Sequence, residues 1–406
     1  MQSQPEYYIE KENTLTRKHV LTFILILGSL SAFGPLTIDM YLPGLPSLAQ
    51  DLHTSASIAQ LSLTACLIGL ALGQIVVGPM SDIQGRKKPL ILALSIYTVS
   101  SLWCVFSTSI WGFIGLRFIQ GLSGAAGMVI SRASARDLFS GTELTKFYSM
   151  LMLVNGLAPI LAPVVGGQLL QFMSWRGVFG VLAAIGALML IVIVLGLKET
   201  LPVQARKTGG VTEVFATFGL LLKDRVFVGY ALSQGFIMSA MFAYISGSTF
   251  VLQDIYGLSP QMFSVVFAIN GVGLILATQI TGRLSGVIHD QMLLIYGILQ
   301  AVISSLLLIV IIVMNASVVF VCIMLFLTIS SVGIVNTTVF SLAMENQSNH
   351  AGSASALLGL LPFLLGAAVA PLVGIGDGTT ALPMALVIAG CNLIAFGVYM
   401  FLIRRR

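Results

Sequence analysis

Residues 57–108 read SIAQLSLTACLIGLALGQIVVGPMSDIQGRKKPLILALSIYTVSSLWCVFST. Two apolar runs, 57–79 and 90–108, flank a short turn that carries Asp82, Arg86, Lys87 and Lys88. Each run is close to the ~20 residues an α-helix needs to cross the hydrocarbon layer. Neither alternates in polarity, as the ~10-residue strands of a membrane barrel would. Lipid offers no water to satisfy backbone N–H and C=O groups, so such runs must be helices. The segment therefore reads as a transmembrane helical hairpin closed by a basic loop.

Outward from this hairpin the pattern repeats. Apolar runs fall at roughly 19–42, 57–79, 90–108, 110–131, 146–169, 177–197, 226–250, 262–282, 291–313, 316–340, 353–375 and 380–403, twelve in all. The composition agrees: 57% of the 406 residues are apolar and 9% charged, against about a quarter charged in soluble domains. The first run is too long for the apolar core of a cleavable signal and is expected to stay as a helix. The four cysteines, Cys66, Cys104, Cys322 and Cys391, lie inside apolar runs without a C-x-x-C pair. No metal site, disulfide or cofactor is expected from them.

Charge fixes the expected orientation. With both termini inside, eighteen of the twenty Lys and Arg residues face the cytoplasm, leaving Arg176 outside and Arg117 in the membrane. This is the asymmetry of the positive-inside rule. The net charge of +5 therefore reflects topology and gives no sign of nucleic-acid binding. The longest hydrophilic stretch, 198–225, divides the spans into a tail (1–18), a six-helix bundle (19–197), a linker, a second six-helix bundle (226–403) and a basic end (404–406).

Two ionisable side chains sit well inside apolar runs: Asp39 in the first and Arg117 in the fourth. An ionisable group at the bilayer centre costs from ~2.5 kcal/mol to several times that, so its default reading is functional. Counting 1.5 Å per residue from the outer ends puts the two within about 3–5 Å in depth. They are expected to be partners, directly or through water. The alternative for Asp39 is a helix-end residue in outside water, because Pro43 follows shortly. The alternative for Arg117 is a structural clamp on backbone carbonyls.

Four motifs carry a family resemblance. The turn Gly78-Pro-Met-Ser-Asp82-Ile-Gln-Gly85-Arg86-Lys87-Lys88-Pro89 resembles the G-x-x-x-D-R-x-G-R-R/K signature of major-facilitator transporters, with Ile83 at the usual Arg. Here Gly85 is expected to supply backbone freedom, Arg86 and Lys87 to anchor at the headgroups, and Asp82 to pair with a base or face a neighbouring helix end, latching the halves in one state. An ordinary basic loop is the plainer reading. Leu116-Arg117-Phe-Ile-Gln120-Gly121-Leu-Ser-Gly124 in the fourth run is similar to the R-x-x-Q-G pattern, whose Arg the family associates with proton transfer.

The fifth run contains Ala158-Pro159-Ile-Leu-Ala162-Pro163-Val-Val-Gly166-Gly167, similar to the antiporter motif G-P-x-x-G-G with Ala162 at a Gly position. A plain structural kink is the alternative. Finally, Asp39-Met40-Tyr41-Leu42-Pro43-Gly44-Leu45-Pro46 resembles the Bcr/CflA drug-resistance branch, whose members are proton-driven multidrug exporters.

The resemblance implies an all-α polytopic fold of twelve helices in two bundles, working by alternating access in a bacterial inner membrane. It implies drug:H⁺ antiport of small lipophilic drugs or metabolites, driven by the proton gradient without a cofactor, by a monomer. Asp39 would be the proton carrier and Arg117 its modulator. Tyr41, Asn155, Gln234, Tyr244, Asn270 and Asn336, with Gln74, are the polar candidates for the cargo cavity; each also suits an interhelical hydrogen bond. A proton symporter importing a nutrient shares the fold. An intramembrane enzyme is disfavoured: the four histidines sit at loops or run ends, and no Walker A string offers ATP drive.

Overall fold

The computed structural model describes residues 17–139, 141–206, 218–345, 347, 351–375 and 380–404. The N-terminal tail to 16, the linker segment 207–217, and Arg405 and Arg406 of the basic end lie outside the described residues. The described chain is all-helical: α1 (Arg17–Ser31), α2 (Phe33–Asp39), α3 (Leu45–Asp51), α4 (Ala56–Gln84), α5 (Lys87–Val105), α6 (Ile110–Leu138), α7 (Gly141–Leu169) and α8 (Trp175–Gly196). After the linker come α9 (Arg225–Phe250), α10 (Pro260–Leu284), α11 (Asp290–Val313), α12 (Val318–Met344), α13 (Ala351–Val369) and α14 (Leu382–Val398).

Among the described residues, eleven helical spans are long and apolar enough to cross a membrane. The twelfth expected span is α7, 29 residues long, whose described apolar part is Gly156–Leu169. Large apolar side chains such as Trp103, Trp111, Phe172 and Leu195 stand exposed on the outside, the surface a lipid-facing protein presents.

Helix starts follow local chemistry. Ser55, Ser259 and Ser317 cap α4, α10 and α12 by accepting the N–H of Ile58, Met262 and Val319, and Asp224 caps α9 through Val226 and Phe227. Each bond satisfies an N–H that the helix itself leaves orphaned.

The first span departs from the sequence expectation. It was expected to end near residue 42, yet the apolar path runs from Leu25 to Asp51 in four helical pieces. Pro35 breaks α1 from α2. Pro43 and Pro46 lie in the first turns of a 3₁₀ piece, Leu42–Gly44, and of α3. There proline needs no N–H partner, so it starts a new helical piece and does not end the span. Asp39 consequently lies twelve residues before the end of the span, deep in the protein.

Packing repeats after six spans. In the first half α4 packs on α6, and α5 on α8; in the second α10 packs on α12, and α11 on α14. The loops closing the two leading hairpins share a left-handed glycine, Gly85 and Gly286, both at φ +89°. Contact between the halves is made chiefly by α7 on α10 and by α4 on α13.

Candidate transport site

Asp39 ends α2, where the turn at Met40 and Tyr41 interrupts the helix. It is 3% exposed, and its Oδ1 has no hydrogen-bond partner. The side chain lines a cavity of about 270 Å³ whose wall combines α2, α6 and α7 of the first half with α9, α10, α12 and α13 of the second. Apolar groups dominate that wall, among them Met128, Met241, Phe242 and Phe363. The alternative of Asp39 in outside water is thus overturned: the carboxyl lies in the protein interior.

Of the polar candidates, Tyr244, Asn270 and Asn336 line this cavity together with Asp39 and Pro159. Asn270 donates its Nδ2 to the Tyr244 hydroxyl at 2.8 Å, and the Tyr244 ring stacks on Phe267. Asn336 donates Nδ2 to the Met238 sulfur at 3.1 Å, leaving its Oδ1 buried without a donor. Tyr41 does not line the cavity; its hydroxyl shares a hydrogen bond with Ser62 of α4 at 3.1 Å. Gln234 sits a turn before Met238 on α9, with a buried, unpartnered Oε1, and is not part of the wall. Gln74 donates to the Leu70 carbonyl at 3.4 Å. The side chain of Asn155 lies outside the described residues.

Arg117 is fully buried but does not pair with Asp39: no ion pair joins them among the described residues. Its guanidinium donates to the Thr37 carbonyl at 2.8 Å and to Gln120 Oε1, and lies over the Tyr41 ring at 4.3 Å and the Phe179 ring at 5.5 Å. Gln120 in turn donates to Ser101 at 2.7 Å, and Thr37 shares a hydrogen bond with Tyr97 at 2.9 Å. The clamp on a backbone carbonyl is the reading the geometry supports. Equal depth did not make partners, because rise along a helix says nothing about which side of the neighbouring helix a group faces. Gly121 brings α6 against the backbone of Cys66, and Gly124 sits beside Tyr97 and Thr37.

The loop motif is also placed differently from expectation. Arg86 is 5% exposed, so it is no headgroup anchor. It pairs with Asp82 at 2.5 Å and with Asp137, at the end of α6, at 2.8 Å. Glu199, just beyond α8, accepts the backbone N–H of Arg86 at 2.8 Å and of Lys87 at 3.2 Å. Lys87 reaches the Val194 carbonyl through Nζ at 3.0 Å. These bonds tie the loop to α6, α8 and the start of the linker, all preceding the second half. Asp82 was expected to pair with a base, and Arg86 is that base; the pair braces the loop within the first half. Gly85 is required twice over: its φ is +89°, and a Cβ there would stand 2.5 Å from Glu199 Oε2. A Cβ at Gly78 would make an ordinary contact with Val129, 3.8 Å away. The sequence reading missed Asp137 and Glu199. An acid at each neighbouring helix end, beside a basic loop, was the available signal.

The proline–glycine motif of the fifth run lies on α7, at the junction of the halves. Pro159 and Pro163 are inside α7. The Pro163 carbonyl accepts from Ser264 of α10 at 2.8 Å, and the Gly167 carbonyl from Gln261 at 3.0 Å. Gly166 seats α7 on the Met40 carbonyl, next to Asp39, where any Cβ would collide with backbone. Ala158 is buried and Ala162 fully so.

The family model described as Major Facilitator Superfamily matches residues 25–371. The chain belongs to the Major Facilitator Superfamily. As a member it is a multi-pass membrane transporter of a bacterial type. It is 48% identical over 92% of its length to an uncharacterized MFS-type transporter, YdgK of Bacillus subtilis, covering 93% of that protein. It is 31% identical over 96% of its length to a bicyclomycin resistance protein homolog of Haemophilus influenzae, covering 98% of it. The resemblance read from the Asp39–Pro46 string, to a drug-resistance branch, is met by that second relative. A chloramphenicol resistance protein of Pseudomonas aeruginosa is 26% identical over 68% of this chain and 65% of that protein. The Major Facilitator fold itself is matched by crystal structures of the nucleoside transporter NupG, TM-score 0.76 at 12% identity, and of a D-xylose–proton symporter, TM-score 0.73 at 16% identity. NupG aligns over 94% of this chain and 99% of its own, the symporter over 94% and 97%.

Proposed function

We propose that this transporter is a drug:H⁺ antiporter that exports small lipophilic drugs or metabolites from a bacterial cell, with Asp39 carrying the proton. One observation carries the reading: among the described residues, the only acid lining the apolar cavity between the halves is a carboxyl with an unpartnered oxygen and no cation in ion-pair reach. A charged group so placed is costly to keep in apolar surroundings. Access to water on one side or the other then sets its charge, and a cargo molecule entering the cavity competes with the proton for it. A single acid in the wall gives one proton per cycle, with no cofactor.

In this scheme the bundles 19–197 and 226–403 rock about the cavity, both termini stay cytoplasmic, and the protein works as a monomer. The loop around Asp82 and Arg86 stiffens the first bundle as it moves. The α7 motif (Ala158, Pro159, Pro163, Gly166 and Gly167) seals the junction, and Arg117 modulates Asp39 by holding the Thr37 carbonyl, two residues away. The relatives named as a bicyclomycin resistance protein homolog and a chloramphenicol resistance protein support export of antibiotics as the physiological direction.

Everted membrane vesicles expressing the protein test the reading. With a proton gradient imposed, adding cargo should release protons from the lumen and load cargo into it. The Asp39→Asn variant should insert normally and lose both movements. Retention of proton-driven transport by that variant removes Asp39 from the mechanism. Proton and cargo moving in the same direction would instead establish a symporter.

A further inference from the structure

The cavity wall is unevenly satisfied. Tyr244 and Asn270 bond each other, so the second half leaves few polar groups waiting there. Asn336 is different. Its amide nitrogen faces the Met238 sulfur, a weak acceptor that cannot donate. That neighbour fixes the amide orientation, because turning the oxygen toward sulfur would set two acceptors against each other. The Asn336 carbonyl oxygen is therefore directed away from sulfur, buried, and without a donor. Across the cavity, Asp39 Oδ1 is in the same condition. Buried polar oxygens are almost always bonded, so an unpartnered one in a native wall calls for an explanation. Here one such oxygen belongs to a lining residue of each half, and the rest of the wall is apolar side chains, glycine and proline apart from the mutually bonded Tyr244 and Asn270.

We infer that the cavity selects compact apolar molecules that carry hydrogen-bond donors, such as amines, N–H amides and alcohols, and that Asn336 is the specificity-determining acceptor of the second half. The inference rests on the cavity being the cargo site, as proposed above, and narrows what enters it. A donor-bearing cargo satisfies both orphaned oxygens. Its methyl-capped counterpart leaves Asn336 desolvated with nothing in exchange, and this asymmetry is what gives sites with buried polar groups their discrimination. A volume of about 270 Å³ suits a molecule of one or two rings. The Asp39 carboxyl also favours a cationic amine, whereas the Asn336 amide accepts neutral donors equally well, so the wall takes both.

The test uses purified full-length protein in detergent and matched pairs of aromatic ligands: an aryl-alkyl amine, primary amide and alcohol, each beside its fully methyl-capped form. Binding is read by ligand-induced thermal shift. The donor-bearing member of the neutral pairs should bind about tenfold more tightly to the wild type, and Asn336→Leu should reduce that preference to within about twofold. Asn336→Asp, which keeps an acceptor oxygen, should retain the preference and strengthen amine binding, which guards against a Leu variant that merely packs poorly. Asp39→Asn should keep the preference in the amide and alcohol pairs while losing proton coupling in vesicles, so the two proposals fail separately. Capped ligands binding as tightly as their parents, an unchanged preference in Asn336→Leu, or no binding by any pair would each overturn the inference.

Discussion

Arg117 directs its guanidinium at neutral partners: a backbone carbonyl, an amide oxygen and two aromatic faces. The carbonyl belongs to Thr37, on the short helix that ends in Asp39, so the cation positions the proposed proton carrier through the backbone and without contact. Lysine can hold the charge but lacks the planar fork that meets Thr37 and Gln120 together while stacking on Tyr41. Arg117→Lys is therefore expected to insert and to transport more slowly, with a stability loss of about 1.5–3 kcal/mol, the scale of one charge-assisted hydrogen bond. Thermal unfolding in detergent checks it; an unshifted midpoint would show that the fork does not hold the helix break. That both residues stand out was legible in the sequence, because ionisable groups are rare in runs that lipid must solvate, and both are buried. Their failure to pair was not legible. The rise per residue gives depth, whereas azimuth depends on how α1, α2 and α6 pack, and that is set by small-residue contacts such as Gly127 against the Leu30 carbonyl.

Among the elements, α7 joins most of the proposal: it walls the cavity at Pro159, bonds the second half through the carbonyls of Pro163 and Gly167, and seats on the Asp39 turn at Gly166. A methyl group at Gly166 would meet the Met40 carbonyl, and neither backbone can yield without moving its helix. Gly166→Ala should cost about 1–3 kcal/mol, the usual price of overpacking, and should lower transport, whereas Gly78→Ala should change little. Expression, thermal stability and vesicle transport of the two variants provide the check. The loop cluster supports a second expectation at this scale. Burial alone would raise the Glu199 carboxyl, but the N–H groups of Arg86, Leu201 and Lys87 and the charge of Arg206 outweigh it and hold Glu199 below the ordinary glutamate value of 4.5. A depressed value means that the cluster's contribution to stability is complete above about pH 4.5 and fades as pH falls through the lower, folded value. Glu199→Gln should thus be less stable than wild type at pH 7, with the gap narrowing below pH 4.5 in thermal melts. The α7 motif was readable because proline and glycine spacing is a local signal. The four-piece first span was misread because Pro43 and Pro46 look like stops until one sees that each occupies a helix's first turn.

At the scale of the whole molecule, the hydropathy pattern is enough to read twelve spans and their six-plus-six order, because lipid imposes length and polarity on every span independently. Which face is closed is a different kind of fact. Between described residues, every side-chain hydrogen bond crossing from α1–α8 and their connections to α9–α14 and theirs lies on the face opposite the Asp82–Arg86 loop. Gln60 donates to Ser246, Gln253 to Pro43, Gln261 to Gly167, Ser264 to Pro163, and Ser57 to Gly374, each onto a backbone carbonyl. Scattered Gln and Ser residues at span ends have no sequence signature, so this seal could not be read in advance. Its chemistry predicts its behaviour: neutral donors on carbonyls should hold the face closed with little dependence on pH or salt, unlike ion pairs. Each such bond contributes about 0.5–1.5 kcal/mol net, so replacing Gln60, Gln253 and Ser264 together by Ala should shift the open–closed balance by roughly 1.5–4.5 kcal/mol, ten- to a thousandfold or more in population. Spin labels at the exposed positions Gln50 and Thr380 would report it: at every pH the triple variant should show a larger longer-distance population than the parent. A distance distribution that is unchanged in the triple variant, or that opens in the parent with salt alone, would show that other contacts hold this face shut.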